Sequence, residues 1–140
     1  MSVYLDASVL VALFANDSLS DRADSYLRLH PDVLVVSDFA AAEFASALAR
    51  RVRMGLLTAD EARTAFSTFD AWTARECTPV QIIAADVAGA AAFLRRLDLS
   101  LRTPDAIHVA VAQRIDAELM TFDNQMAANA RALGLAVVDG

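Results

Sequence analysis

The chain contains no lysine; all 12 of its basic residues are arginine. A Walker-type phosphate loop therefore has no lysine to complete it. Only four glycines occur, at 55, 89, 134 and 140, and they form no dinucleotide-binding fingerprint. The single cysteine, Cys77, excludes an internal disulfide and cannot build a cysteine-rich zinc site. Its expected role is that of a small buried hydrophobe. No apolar run approaches the ~20 residues needed to span a bilayer. The N-terminus lacks the basic flank, apolar stretch and cleavage pattern of a secretory signal. A soluble, cytoplasmic protein with no membrane partner is the expectation.

What is present is a 140-residue chain, 56% hydrophobic and rich in alanine, with a mean hydropathy of +0.39. That length suits one domain over residues 1–140, with a sizeable core. The net charge of −6 argues against nucleic-acid binding through a broadly basic surface. It permits a basic protein partner, and it permits a cluster of acids whose charge is offset by metal ions.

Residues 3–6 read as a buried strand, with Ser8 able to cap a helix over 9–15. Asn16-Asp17-Ser18 signals a turn. A helix follows to about Leu29 and ends at His30-Pro31-Asp32. The branched apolar run 33–36 suits a buried parallel strand. Ser37 or Asp38 caps a helix over 39–53, with Arg50, Arg51 and Arg53 in its last turn and Gly55 just beyond. Thr58-Ala59-Asp60-Glu61 is a capping box opening a helix to about Ala74. On it, Phe66, Phe69 and Trp72 share a stripe read as core or dimer surface. Further elements are a short strand at 77–80, a small-residue helix at 82–97 and a helix at 103–115. Thr103 is its expected N-cap, with Pro104 at the first position. Strands at 118–121 and 136–138 flank a helix begun by Asp123 and ended by Gly134. Strands alternating with helices predict an α/β fold: a central parallel sheet of about four to five strands with helices on both faces.

Four acids occupy places that should be apolar or strand-terminal. Asp6 ends the first strand, where open parallel sheets bind ligands. Glu43 is the only charged residue between Phe39 and Ala49, with Phe39 and Ala47 on its face. Asp105 opens the helix that also carries His108, which is read as hydrogen-bonded near the site or packed rather than as a ligand. Asp123 sits at a strand-to-helix junction like Asp6. Each has a bland explanation in capping, helix dipole or solvation. Together they form a carboxylate cluster that would repel itself unless protonated or bridged by cations. Oxygen-only donors select magnesium or manganese, and the hydroxyls of Ser8 and Thr121 are placed to hydrogen-bond such ligands. Asp38 and Asp86 rank lower, as helix-start caps.

The order of these motifs resembles PIN-domain nucleases, most closely the VapC-type toxins of bacterial toxin–antitoxin pairs. Tyr4-Leu5-Asp6-Ala7-Ser8-Val9-Leu10 looks like the family's first motif and Ala42-Glu43 like its second. Leu101-Arg102-Thr103-Pro104-Asp105-Ala106-Ile107-His108-Val109-Ala110 is the most specific match, and Met120-Thr121-Phe122-Asp123 looks like the last. The resemblance spans essentially the whole chain. It implies an endoribonuclease dependent on Mg2+ or Mn2+, with Asp6, Glu43, Asp105 and Asp123 holding metal. It also implies arginines on the RNA phosphates, Arg102 first among them, a homodimer, and a cognate antitoxin whose basic segment blocks the site. Two other readings stand beside it: a catalytically silent PIN fold acting as a binding module, and a non-toxin RNA-processing nuclease. A phosphatase or phosphotransferase is disfavoured by the missing lysine and by Ser8 standing where a second aspartate would be.

Overall fold

The strand that carries three fully buried side chains, Val3, Tyr4 and Leu5, is an inner one. β1 (Ser2–Leu5) pairs in parallel with β2 (Val33–Ser37) on one side and β4 (Glu118–Met120) on the other. β3 (Cys77–Val80) completes the order β3-β2-β1-β4. A computed structural model describes residues 1–15, 18–29 and 32–138. The turn at Asn16-Asp17 and the helix stop at His30-Pro31 lie outside the described residues.

A parallel sheet needs cover on both faces, and alternation along β1 directs the packing. Tyr4 points toward α5 (Ala84–Arg95), α6 (Thr103–Arg114) and α7 (Asn124–Ala132), in a core with Val35, Ala90, Val109 and Met126. Val3 and Leu5 point the other way, toward α1 (Ala7–Phe14), α3 (Asp38–Arg53) and α4 (Ala59–Glu76). α2 (Ser20–Leu29) adds Tyr26 to that second core. Phe69 of the aromatic stripe is buried there, its ring 4.5 Å from that of Phe44 and 5.6 Å from that of Phe14. The stripe is therefore core. Among the described residues no helix is long and apolar enough to cross a membrane.

Several boundaries differ from those the sequence suggests. α1 begins at Ala7, not Val9. Asp6 caps it by accepting from the Val9 amide at 3.2 Å, because Ser8 is already inside the first turn. α6 likewise begins at Thr103, so the cap position falls to Arg102, which has no capping side chain. The helix expected over 82–97 starts at Ala84 and stops at Arg95, two residues before Leu97 takes a left-handed φ of 67°. Residues 136–138 form no strand; they make a single bridge, Leu119 with Val137. The capping box at Thr58 and Glu61 is present, with reciprocal bonds of 3.1 and 3.0 Å.

Asp86 does more than cap. Its carboxylate accepts from the Ile83 amide, and also from Arg114 Nε and Nη2 at 2.8 and 3.1 Å. Burial opposes its ionisation, but these bonds outweigh burial and hold its carboxyl below the ordinary range. The pair ties α5 to α6. Gly89 sits on the same contact, yet a Cβ there would meet Ala110 Cβ at an ordinary 3.6 Å. Gly89→Ala is therefore expected to stabilise the chain by about 0.5 kcal/mol through helix propensity, read as an upward shift in thermal melting. A drop would mean that the helices cannot absorb one methyl group.

Candidate active site

Strand order reverses beside β1: the chain leaves it for β2 on one side, and β4 returns on the other. Ligands bind beyond the carboxyl ends of strands at such a point. Asp6 follows β1 there, and Thr121 and Asp123 follow β4. β4 ends at Met120, one residue earlier than expected, which leaves Thr121 outside the strand. Its hydroxyl donates to Asp6 Oδ2 at 2.5 Å, and Ser8 Oγ donates to Asp6 Oδ1 at 2.6 Å. Ser8 Oγ in turn accepts from the Phe122 amide at 3.0 Å, so the two strand ends are laced together around one carboxylate. Asp6 is buried. Desolvation pushes its carboxyl upward, while the Ser8 and Thr121 hydroxyls and the Val9 amide pull it back.

Asp123 caps α7 by accepting from the Gln125 and Met126 amides at 3.0 and 3.1 Å. Asp105 sits in the first turn of α6, with Arg102 Nε 3.6 Å from its Oδ2. Arg102 is 78% exposed, so this is a loose surface pair of little energetic worth. Burial raises the Asp105 carboxyl, Arg102 lowers it, and the charge of Asp123 raises it further. The last effect places Asp105 and Asp123 within each other's field. Glu43, on α3, bonds His108 Nε2 through Oε1.

These elements surround a cleft of about 790 Å3 lined by Ser8, Glu43, Arg50, Arg51, Arg102 and Asp123, with Val11, Met54 and Leu56 on its apolar side. Arg50 and Arg51, from the last turn of α3, belong to the cleft wall. Arg51 Nη1 also donates to the Ala15 carbonyl at 3.3 Å. The spacing from Glu43 to Arg50, seven residues or two helical turns, could have signalled a shared face. Tyr4 and Ser37, which bond behind Glu43, were not singled out as site residues. The available hint was a phenol in a buried strand, which needs a hydrogen-bond partner.

The donor chemistry suits a hard divalent cation: Glu43 and Asp123 line the cleft, and Asp6 and Asp105, which do not line it, have carboxyls raised by burial that a neighbouring positive charge would relieve. Among the described residues, no three His, Cys, Asp or Glu side chains stand close enough to enclose an ion as they are. Their oxygens are turned instead to hydroxyls, amides and His108.

The fold and cleft together define an α/β protein with an acidic site at a topological switch point and an arginine-bearing wall. A family model described as PIN domain matches residues 3–132. Ribonuclease VapC46 of Mycobacterium tuberculosis is 35% identical, over 98% of this chain and 96% of its own length. Ribonuclease VapC3 of Pyrobaculum aerophilum is 30% identical, over 91% and 93%. Among solved structures, the M. tuberculosis VapC20, described as a sarcin-ricin loop cleaving toxin, superposes with a TM-score of 0.76 at 21% identity, covering 99% of both chains. VapBC2 from Rickettsia felis, bound to a DNA fragment from its promoter, gives 0.74 at 15% identity over 99% and 98%. The chain belongs to the PIN domain family, alongside the VapC ribonucleases.

Proposed function

We propose that the chain is a divalent-metal-dependent endoribonuclease and the toxin of a toxin–antitoxin pair, acting as one PIN domain over residues 1–140. The observation that carries this reading is that Asp6 and Asp123 follow the paired strands β1 and β4, bridged by Thr121, with Asp123 and Glu43 lining one cleft, in a chain related over nearly its full length to named ribonucleases.

Asp6, Glu43, Asp105 and Asp123 would hold Mg2+ or Mn2+. A divalent ion bound there supplies Lewis-acid charge to the scissile phosphodiester and its attacking water. Ser8 and Thr121 keep Asp6 in one rotamer, oriented by two hydroxyl donors. Arg102, exposed at the rim and free to swing from its loose pair with Asp105, offers a guanidinium to the RNA phosphate. Arg50 extends that basic wall. The negative net charge and the apolar side of the cleft at Val11, Met54 and Leu56 suit an antitoxin segment that is both basic and apolar. Exposed Ile83, just before α5, and exposed Val87 on it offer apolar surface to a homodimer, and action on RNA with a protein antitoxin fits a cytoplasmic location.

The test is cleavage of an end-labelled structured RNA by the purified chain with Mg2+, with Mn2+ and with excess chelator. Internal cuts that require the metal are expected. Intact RNA under every divalent condition would favour the silent binding-module reading instead.

A further inference from the structure

The polar groups behind Glu43 form one continuous chain. The Tyr4 hydroxyl lies 2.7 Å from Ser37 Oγ and 2.6 Å from His108 Nδ1. His108 Nε2 bonds Glu43. Ser37 Oγ, the N-cap of α3, accepts from the Ala40 amide at 2.9 Å. Tyr4, Ser37 and His108 are each no more than 1% exposed. The chain starts at the N-cap of α3, crosses β1 and α6, and returns to α3 at Glu43, six residues further along.

Donor counting gives this chain a direction. An ionised Glu43 can only accept, so His108 Nε2 carries a proton. Burial pushes the Tyr4 hydroxyl well above its ordinary range. It therefore keeps its proton and can donate to Nδ1, which in a neutral imidazole is then the acceptor. The Ser37 oxygen already accepts from Ala40, and its own proton goes to Tyr4. Every donor points toward Glu43. The opposite direction would leave the Ser37 proton without an acceptor among the described residues, a costly state for a buried hydroxyl.

We propose that His108 is a positioning residue for Glu43, its tautomer fixed by Tyr4 and Ser37, so that one carboxylate oxygen is tied back and the other is left for the cleft. This rests on the reading above that Glu43 helps hold the metal. Without the chain, a glutamate side chain with three rotatable bonds would have to be ordered at the moment of binding. Partners that orient a metal-holding group typically contribute 10–100-fold in metal affinity.

The experiment has two arms. In metal-free protein labelled with 15N-histidine, long-range proton–nitrogen spectra report the tautomer. The chain has two histidines, His30 and His108, and His108→Gln assigns the signals. His108 is expected to carry its proton on Nε2, facing Glu43, and Tyr4→Phe to give a mixture of tautomers. In the second arm, Mn2+ affinity is read from the electron-paramagnetic signal of free Mn2+. Tyr4→Phe and His108→Leu are expected to bind about 10-fold more weakly or worse, while His108→Gln, which keeps an amide donor within reach of Glu43, recovers most of the loss. Circular-dichroism melts establish that each variant is folded. A wild-type Nδ1–H tautomer overturns the proposal, as does undiminished Mn2+ binding in folded Tyr4→Phe and His108→Leu. Wild-type protein that binds no Mn2+ at all removes the metal reading of Glu43 and this role with it. The metal-free spectra distinguish that failure from an error in the direction of the chain.

Discussion

Asp6→Asn is expected to lower metal-dependent RNA cleavage by more than about 100-fold, beyond the range for residues that merely orient a metal-holding group, while the fold survives. The argument lies in what asparagine keeps. It retains an oxygen to accept from the Val9 amide and the Ser8 hydroxyl, and it caps helices as well as aspartate does. Its amide replaces Oδ2, and Thr121 Oγ1 can rotate to accept from it. The strand ends stay laced. Only the charge is lost, and with it an anionic oxygen for a cation. Single-turnover cleavage of labelled RNA measures the first effect and circular dichroism the second. Cleavage at the wild-type rate would remove Asp6 from the active site.

Asp105→Asn is expected to raise the melting temperature of the metal-free protein at neutral pH by about 3 °C, the scale of roughly 1 kcal/mol in a chain of this size. Burial and the charge of Asp123 lift the Asp105 carboxyl above its ordinary 3.8, against the pull of Arg102. A carboxyl raised in the folded state binds its proton more tightly there than in the unfolded chain. Its cost to stability is absent below the unfolded value and complete once pH has risen through the folded one. Metal-free stability should therefore fall as pH rises through the window just above the usual carboxylate range, and less steeply in Asp105→Asn. If the carboxylate also holds metal, Mg2+ should raise the wild-type melting temperature more than that of the variant. Equal melting curves without metal, at every pH, would show that the site stores no such cost.

Asp6 and Glu43 stand out in the sequence because each breaks a local rule, a charge at the end of a central strand and a charge alone among alanines, whereas Asp105 and Asp123 sit where helix starts favour acids and stand out only through the motifs around them. The Thr58–Glu61 box was legible because it closes within four residues. The chain from Ser37 through Tyr4 to His108 was not, because Tyr4 and His108 are 104 residues apart and the tyrosine looks like ordinary core until its hydroxyl is followed. Arg114 and Asp86 escaped for the same reason across 28 residues. The choice of Asp6 over Ser8 as cap turned on where the strand stops, a one-residue matter that β pairing decides. The pattern at 136–138 suggests a strand, but the pairing stops at one bridge centred on Val137, made by the Ala136 carbonyl and the Val138 amide with Leu119.

The wall of the cleft, finally, is electrically one-sided in its freedom to change. Arg50, Arg51 and Arg102 are guanidinium groups, which keep their charge at any pH a cell reaches. No lysine stands among them to be neutralised by burial or acetylation. Every adjustable charge belongs to the carboxylates opposite. Whatever quiets those acids, a proton or a cation, can shift the balance only toward welcoming a polyanion.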